Sequence, residues 1–146
     1  MINIHKLSEP QNHRCCYCGH RMIDIEKHHH PHTPQNAATR EHINPKSYGG
    51  MTEAGNLAAA CSLCNYLRGN MDYNAFFNLI KKWFKRDSTL RERWHDISRE
   101  ERHFFKQICL KTQERQLRGL AKKHELYAQR HSHFIFHYGE KLQLRA

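Results

Sequence analysis

Between Asp72 and Arg86 the apolar side chains Phe76, Phe77, Ile80, Trp83 and Phe84 recur at the spacing of a single helix face, which predicts an amphipathic helix. Further on, Ser98 stands three residues before Glu101 in "SREE", the pairing of a capping box. It predicts a long helix running to about Tyr127, with Phe104, Phe105, Ile108, Leu117, Leu120 and Ala121 as its apolar positions and lysines and arginines elsewhere. The closing stretch "HFIFHYGEKLQLRA" alternates Phe134, Phe136 and Tyr138, as a terminal strand would.

Before Asn70 the helical period is missing. The first dozen residues are polar and read as a loop, and "CCYCGHRM" reads as a tight turn in which Gly19 supplies a positive φ. "IEKHHHPHTPQNAATR" is polar and broken by Pro31 and Pro34, so it reads as an exposed connection. "ATREHIN" is a short strand ended by Pro45, and "PKSYGGMTEAG" is a loop. "NLAAACSLCNYLRGN" passes through a brief extended piece into a helix that starts near Cys61 or Ser62.

Length and charge sharpen this outline. A chain of 146 residues, 38% apolar, fits one compact domain or a small site-bearing module with a helical extension. Its formal net charge is +10, counted with all fourteen histidines neutral. Residues 1–69 hold 7 Lys/Arg against 5 Asp/Glu, whereas residues 70–146 hold 17 against 9. A nearly neutral half with the chemical motifs therefore stands beside a basic half. Such a balance favours a polyanion, nucleic acid first, because phosphate neutralisation dominates that affinity. There is no apolar leader at "MINIHKLSEPQNHR" and no run approaching a membrane span, so the expected setting is the cytoplasm with no membrane partner.

In a reducing compartment, paired Cys-x-x-Cys elements favour metal over disulfide. Cys15 with Cys18 and Cys61 with Cys64 form two such knuckles, and four thiolates make a closed, structural zinc site. The long span between the knuckles leaves room for a hairpin clamped by the metal. Cys16 also forms a Cys-x-Cys with Cys18, the poorer knuckle, and Cys109 among Phe105, Ile108 and Leu110 reads as an inert core thiol.

Glu41 and His42 are neighbours on the predicted strand, so their side chains point to opposite faces. A carboxylate suits a hard divalent ion such as magnesium or manganese, and a neutral imidazole suits proton abstraction near neutral pH. Asn65, next to the second knuckle, can bring an amide oxygen to the same ion. Asn56, past the Gly49-Gly50 pair, can brace that loop or orient the histidine ring. Arg40, Lys46 and Arg68 lie close by in sequence and are candidate nucleic-acid contacts.

The order Cys-x-x-Cys, "TREHINPKSYGG", "NLAAACSLCNYLRG", from about Cys15 to Asn70, resembles the HNH nuclease family with its ββα-metal fold. The resemblance implies a zinc-clamped ββα-metal core within residues 1–70; with the helices and the charge read beyond it, the expected fold is α+β, with a basic, mainly α-helical region at 71–146. It further implies His42 as the general base, Glu41 and Asn65 as ligands of a catalytic Mg or Mn ion, and Asn56 as the residue that orients His42. Glu41 departs from the Asp more usual in the family, and Asn65 from the usual His. The activity implied is metal-dependent endonuclease cleavage, with double-stranded DNA the favoured substrate.

Two other readings compete. One is a zinc-stabilised nucleic-acid-binding module that no longer cuts. The other is a nuclease effector of a defence or toxin system, active only with a partner held by the helical region; self-association through that region is a separate expectation. Three tempting features carry less weight. The histidines from His28 to His32 surround Pro31 and lack fixed geometry. The aromatic set from Phe76 to Phe84 is more simply packing than base stacking. The basic face of residues 99–131 fits a solvated surface as well as a DNA track.

Overall fold

A computed structural model of the chain describes residues 3–24, 33–45, 49–50 and 54–130. Among them the chain is mixed α+β, with one two-stranded sheet and four α-helices. The expected terminal strand and the histidines of 28–32 lie outside the described residues.

The opening residues are helical, not loop: α1 spans Ile4–Ser8 and runs into a 3-10 turn at Glu9–Gln11. The Asn3 side chain caps α1 by accepting from His5 N at 2.8 Å, and Ile4 and Ser8 are buried. Overall polarity concealed this helix because it buries only one short face.

Strand β1 (Ala38–His42) pairs antiparallel with β2 (Leu57–Cys61), setting Glu41 opposite Ala58 and His42 opposite Leu57. All of β2 is buried, and its run of alanines lets neighbouring backbone approach closely. The Gln11 side chain uses that proximity: it donates to Ala59 O and accepts from Ala59 N, both at 2.9 Å. The amide thus occupies part of the β2 edge as a third strand would. Helix α2 (Ser62–Arg68) follows β2 directly, with Cys61 as its cap.

Helix α3 (Tyr73–Arg86) starts where the Asp72 carboxylate accepts from Ala75 N at 3.1 Å, and it buries Phe76, Ile80, Trp83 and Phe84. Its face packs into the same core as Leu63, Leu67 and Met71. Trp94 is fully buried there, with ring centroids 5.2 Å from Phe84 and 5.6 Å from Phe105. The aromatic set is therefore core. Because α3 shares this core, the first compact unit extends past residue 70, as Met1–Cys109.

Helix α4 (Arg99–Arg130) opens on the expected capping box: Glu101 N donates to Ser98 Oγ at 3.1 Å, and Glu101 Oε1 accepts from Ser98 N at 3.3 Å. The second unit, Leu110–Ala146, takes in the remainder of that helix. No helix among the described residues is long and apolar enough to cross a membrane.

Candidate functional site

The two knuckles meet. The Sγ atoms of Cys15, Cys18, Cys61 and Cys64 all lie within 4.8 Å of one another, with Cys18 and Cys61 3.9 Å apart. Zinc–sulfur bonds of about 2.3 Å in a tetrahedron put sulfurs about 3.8 Å apart, so the cluster could hold a zinc ion. The first knuckle is shaped by Gly19 at φ +74° and by Gly19 N donating to Cys15 O at 3.0 Å. In each knuckle a backbone N–H points at a ligand sulfur: Tyr17 N at Cys15 and Cys64 N at Cys61, both at 3.4 Å.

Trp94 adds its indole N–H to Cys64 Sγ at 3.4 Å. Burial pushes the Cys61 and Cys64 thiols up, so without a cation these sulfurs favour the protonated form. Cys16 is outside the cluster. Cys109 is buried in the core, which pushes its thiol up to about 12, as suits an inert position.

On β1 the side chains divide by strand period. Thr39 and Glu41 are on the side that α2 engages. Arg40 and His42 are on the opposite face, Arg40 exposed and His42 half-buried. Asn65, from α2, donates its Nδ2 to Thr39 Oγ1 at 2.9 Å and toward Arg40 O at 3.4 Å. Glu41 and Asn65 are therefore placed against the same face of one strand. His42 is carried next to them on the other face.

Glu41 is only 6% exposed, and its Oε1 is 3.1 Å from Arg68 Nη1. Its other oxygen, Oε2, is buried with no hydrogen-bond partner among the described residues. Burial pushes the Glu41 carboxyl up to about 7, against the opposing pull of Arg68 and the Tyr17 hydroxyl. A buried carboxylate oxygen without a hydrogen-bond partner among the described residues is the type of ligand atom that hard divalent ions prefer.

Arg68 corrects the sequence reading. It is completely buried and cannot reach a phosphate. Its Nε donates to Met71 O at 2.8 Å, Nη1 to the Tyr17 hydroxyl at 2.7 Å and to His42 O at 2.6 Å, and Nη2 to Ile43 O at 2.7 Å. The guanidinium thus fixes the backbone on which His42 is mounted.

Asn56 closes the other side of that backbone. It ends a 3-10 turn (Ala54–Asn56), its Oδ1 accepts from Asn44 N at 2.8 Å, and its Nδ2 donates to Asn44 O at 3.0 Å. Ile43 N also donates to Asn56 O at 2.9 Å. These bonds tie Asn56 to the residues that follow His42. Lys46 lies outside the described residues. Tyr17, Trp94 and Thr39 carry no sequence signal of a place in the site, apart from the position of Tyr17 within "CCYC".

Comparison with known proteins adds nothing to this geometry: no family model, no curated protein and no solved structure matches the chain.

Proposed function

We propose that the chain is an HNH-type endonuclease that hydrolyses phosphodiester bonds in nucleic acid, double-stranded DNA first. The observation that supports this most is the joint placement of Glu41 and Asn65 on one face of β1 and His42 on the other, within a β-hairpin and helix whose ends meet at four cysteines. The ββα order and the motif from Cys15 to Asn70 support the same reading.

In this reading zinc on Cys15, Cys18, Cys61 and Cys64 is purely structural, because four thiolates leave no open position. A magnesium or manganese ion on Glu41 and Asn65 would supply charge stabilisation for the departing 3′ oxygen. His42 takes the proton of the attacking water, a task suited to a neutral imidazole near physiological pH. Arg68 holds the His42 carbonyl, and Asn56 holds the Asn44 peptide, so the imidazole is mounted on a strand end fixed from two sides. Arg40, exposed on the His42 face, is the phosphate contact this arrangement offers.

A second reading is favoured by one observation. Glu41 is already engaged by Arg68, as suits a binding module in which the acid is structural. Supercoiled plasmid incubated with magnesium or manganese separates the two. The nuclease nicks it, and His42→Ala abolishes nicking while retaining DNA binding. A wild-type protein that binds without cutting under either ion supports the binding module or a partner-gated effector.

A further inference from the structure

Away from the hairpin, His5, His13 and Asp24 also bring one ligand atom each within 4.8 Å of the others. His5 Nδ1 is 2.7 Å from Asp24 Oδ2, and His13 Nδ1 is 3.9 Å from the same oxygen. The two imidazoles face each other at a centroid separation of 4.9 Å, tilted by 32°. The three residues come from three separate stretches: His5 from α1, His13 from the turn after the Glu9–Gln11 helix, and Asp24 from the segment leaving the first knuckle.

The backbone places His13 there at a cost. Asn12 and His13 have φ of +54° and +58°, a left-handed pair that non-glycine residues seldom adopt. The pair is held by His13 N donating to Ser8 O at 3.0 Å and by Met22 N donating to His13 O at 2.8 Å. The His13 ring is steadied in turn by the buried Ser8 hydroxyl, 2.8 Å from Nδ1.

We infer that His5, His13 and Asp24 form a second metal site, for a divalent ion of the zinc class, that joins α1 to the segment following the first zinc knuckle. Two imidazoles and one carboxylate suit zinc, cobalt or nickel better than magnesium or calcium. The His5 side chain is 60% exposed and that of Asp24 23%, so the ion reaches the site from solvent and keeps a coordination position open to it. The inference is independent of the nuclease reading.

The test uses the full chain with zinc on its cysteines. His28, His29, His30 and His32 are replaced by glutamine, since these imidazoles would bind metal by themselves. Zinc is titrated calorimetrically into this parent and into its His13→Asn and Asp24→Asn variants. Asparagine tolerates the left-handed φ at position 13, so the fold survives the substitution. The parent is expected to take up one equivalent more than either variant. Cobalt added in place of zinc should broaden the His5 and His13 ring resonances of the parent. Equal uptake by parent and variants, or broadening absent from both rings, overturns the inference.

Discussion

Arg68 Nη1 lies 3.1 Å from Glu41 Oε1, and the same guanidinium donates to the carbonyls of His42, Ile43 and Met71. One buried cation therefore joins α2 to the strand end that carries the candidate base. Losing it would strand a buried carboxylate and three carbonyls together. Arg68→Met is expected to destabilise the fold by about 3–5 kcal/mol, the usual penalty for breaking a buried pair from one side. Arg68→Lys should recover little of this, since one ammonium cannot reproduce the forked donors. Urea unfolding of the three proteins checks the ranking, and a lysine variant as stable as wild type would contradict it.

Glu41 sets a pH dependence whose sign is fixed. Its folded carboxyl is pushed up to about 7 by burial, against a value of about 4.3 in an unfolded chain. The folded state holds this proton more tightly, so stability from the group is fully present below the unfolded value and is lost as pH rises toward 7. The difference in unfolding free energy between wild type and Glu41→Gln should shift against the wild type between pH 5 and 7, then level off. Taking the difference cancels the acid lability that both proteins share at the zinc thiolates. A flat difference across that window would count against the buried placement of Glu41.

The cysteines divide into ligands and bystanders. Cys64→Ser is expected to prevent folding, because structural zinc sites contribute about 10–16 kcal/mol of apparent binding energy in small zinc domains. Cys16→Ser should fold normally, since this thiol is outside the cluster. Far-UV dichroism and tryptophan emission check both, the latter because Trp94 donates to Cys64 Sγ. A folded Cys64→Ser protein would remove zinc from the account.

Gly49 and Gly50 are unlike one another. A Cβ at Gly50 would sit 1.8 Å from the Asn44 carbonyl oxygen, the group that the Asn56 amide also holds. At Gly49, φ is +83° with nothing within 4 Å of an added Cβ. Gly50→Ala is expected to lower stability by about 1–3 kcal/mol, through overpacking against backbone that cannot yield. Gly49→Asn should be nearly neutral, as asparagine tolerates the left-handed region. Thermal melts of both variants decide, and equal effects would contradict the close approach at Gly50.

Much of this was legible in the chain because local signals were unopposed. The period from Phe76 to Phe84, the Ser98–Glu101 box and the two Cys-x-x-Cys pairs each act over a few residues, and each appears where expected. What was illegible depends on distance in space. Arg68 reads as a surface cation until Tyr17, Glu41 and three carbonyls are seen to surround it. Gln11 looks like any polar residue, yet its amide serves the edge of β2 through a contact with Ala59. Helix α1 is illegible in the sequence because five residues are too few to display a period.

The most direct test of the central claim is the single-turnover cleavage rate of one labelled DNA duplex with magnesium or manganese, for wild type and His42→Ala. The account predicts metal-dependent cleavage, slowed by about 10²–10⁴-fold in the variant as a general base is lost, with DNA affinity unchanged. A wild-type protein that binds the duplex yet leaves it intact with both ions, or a variant that cuts as fast as wild type, would contradict it.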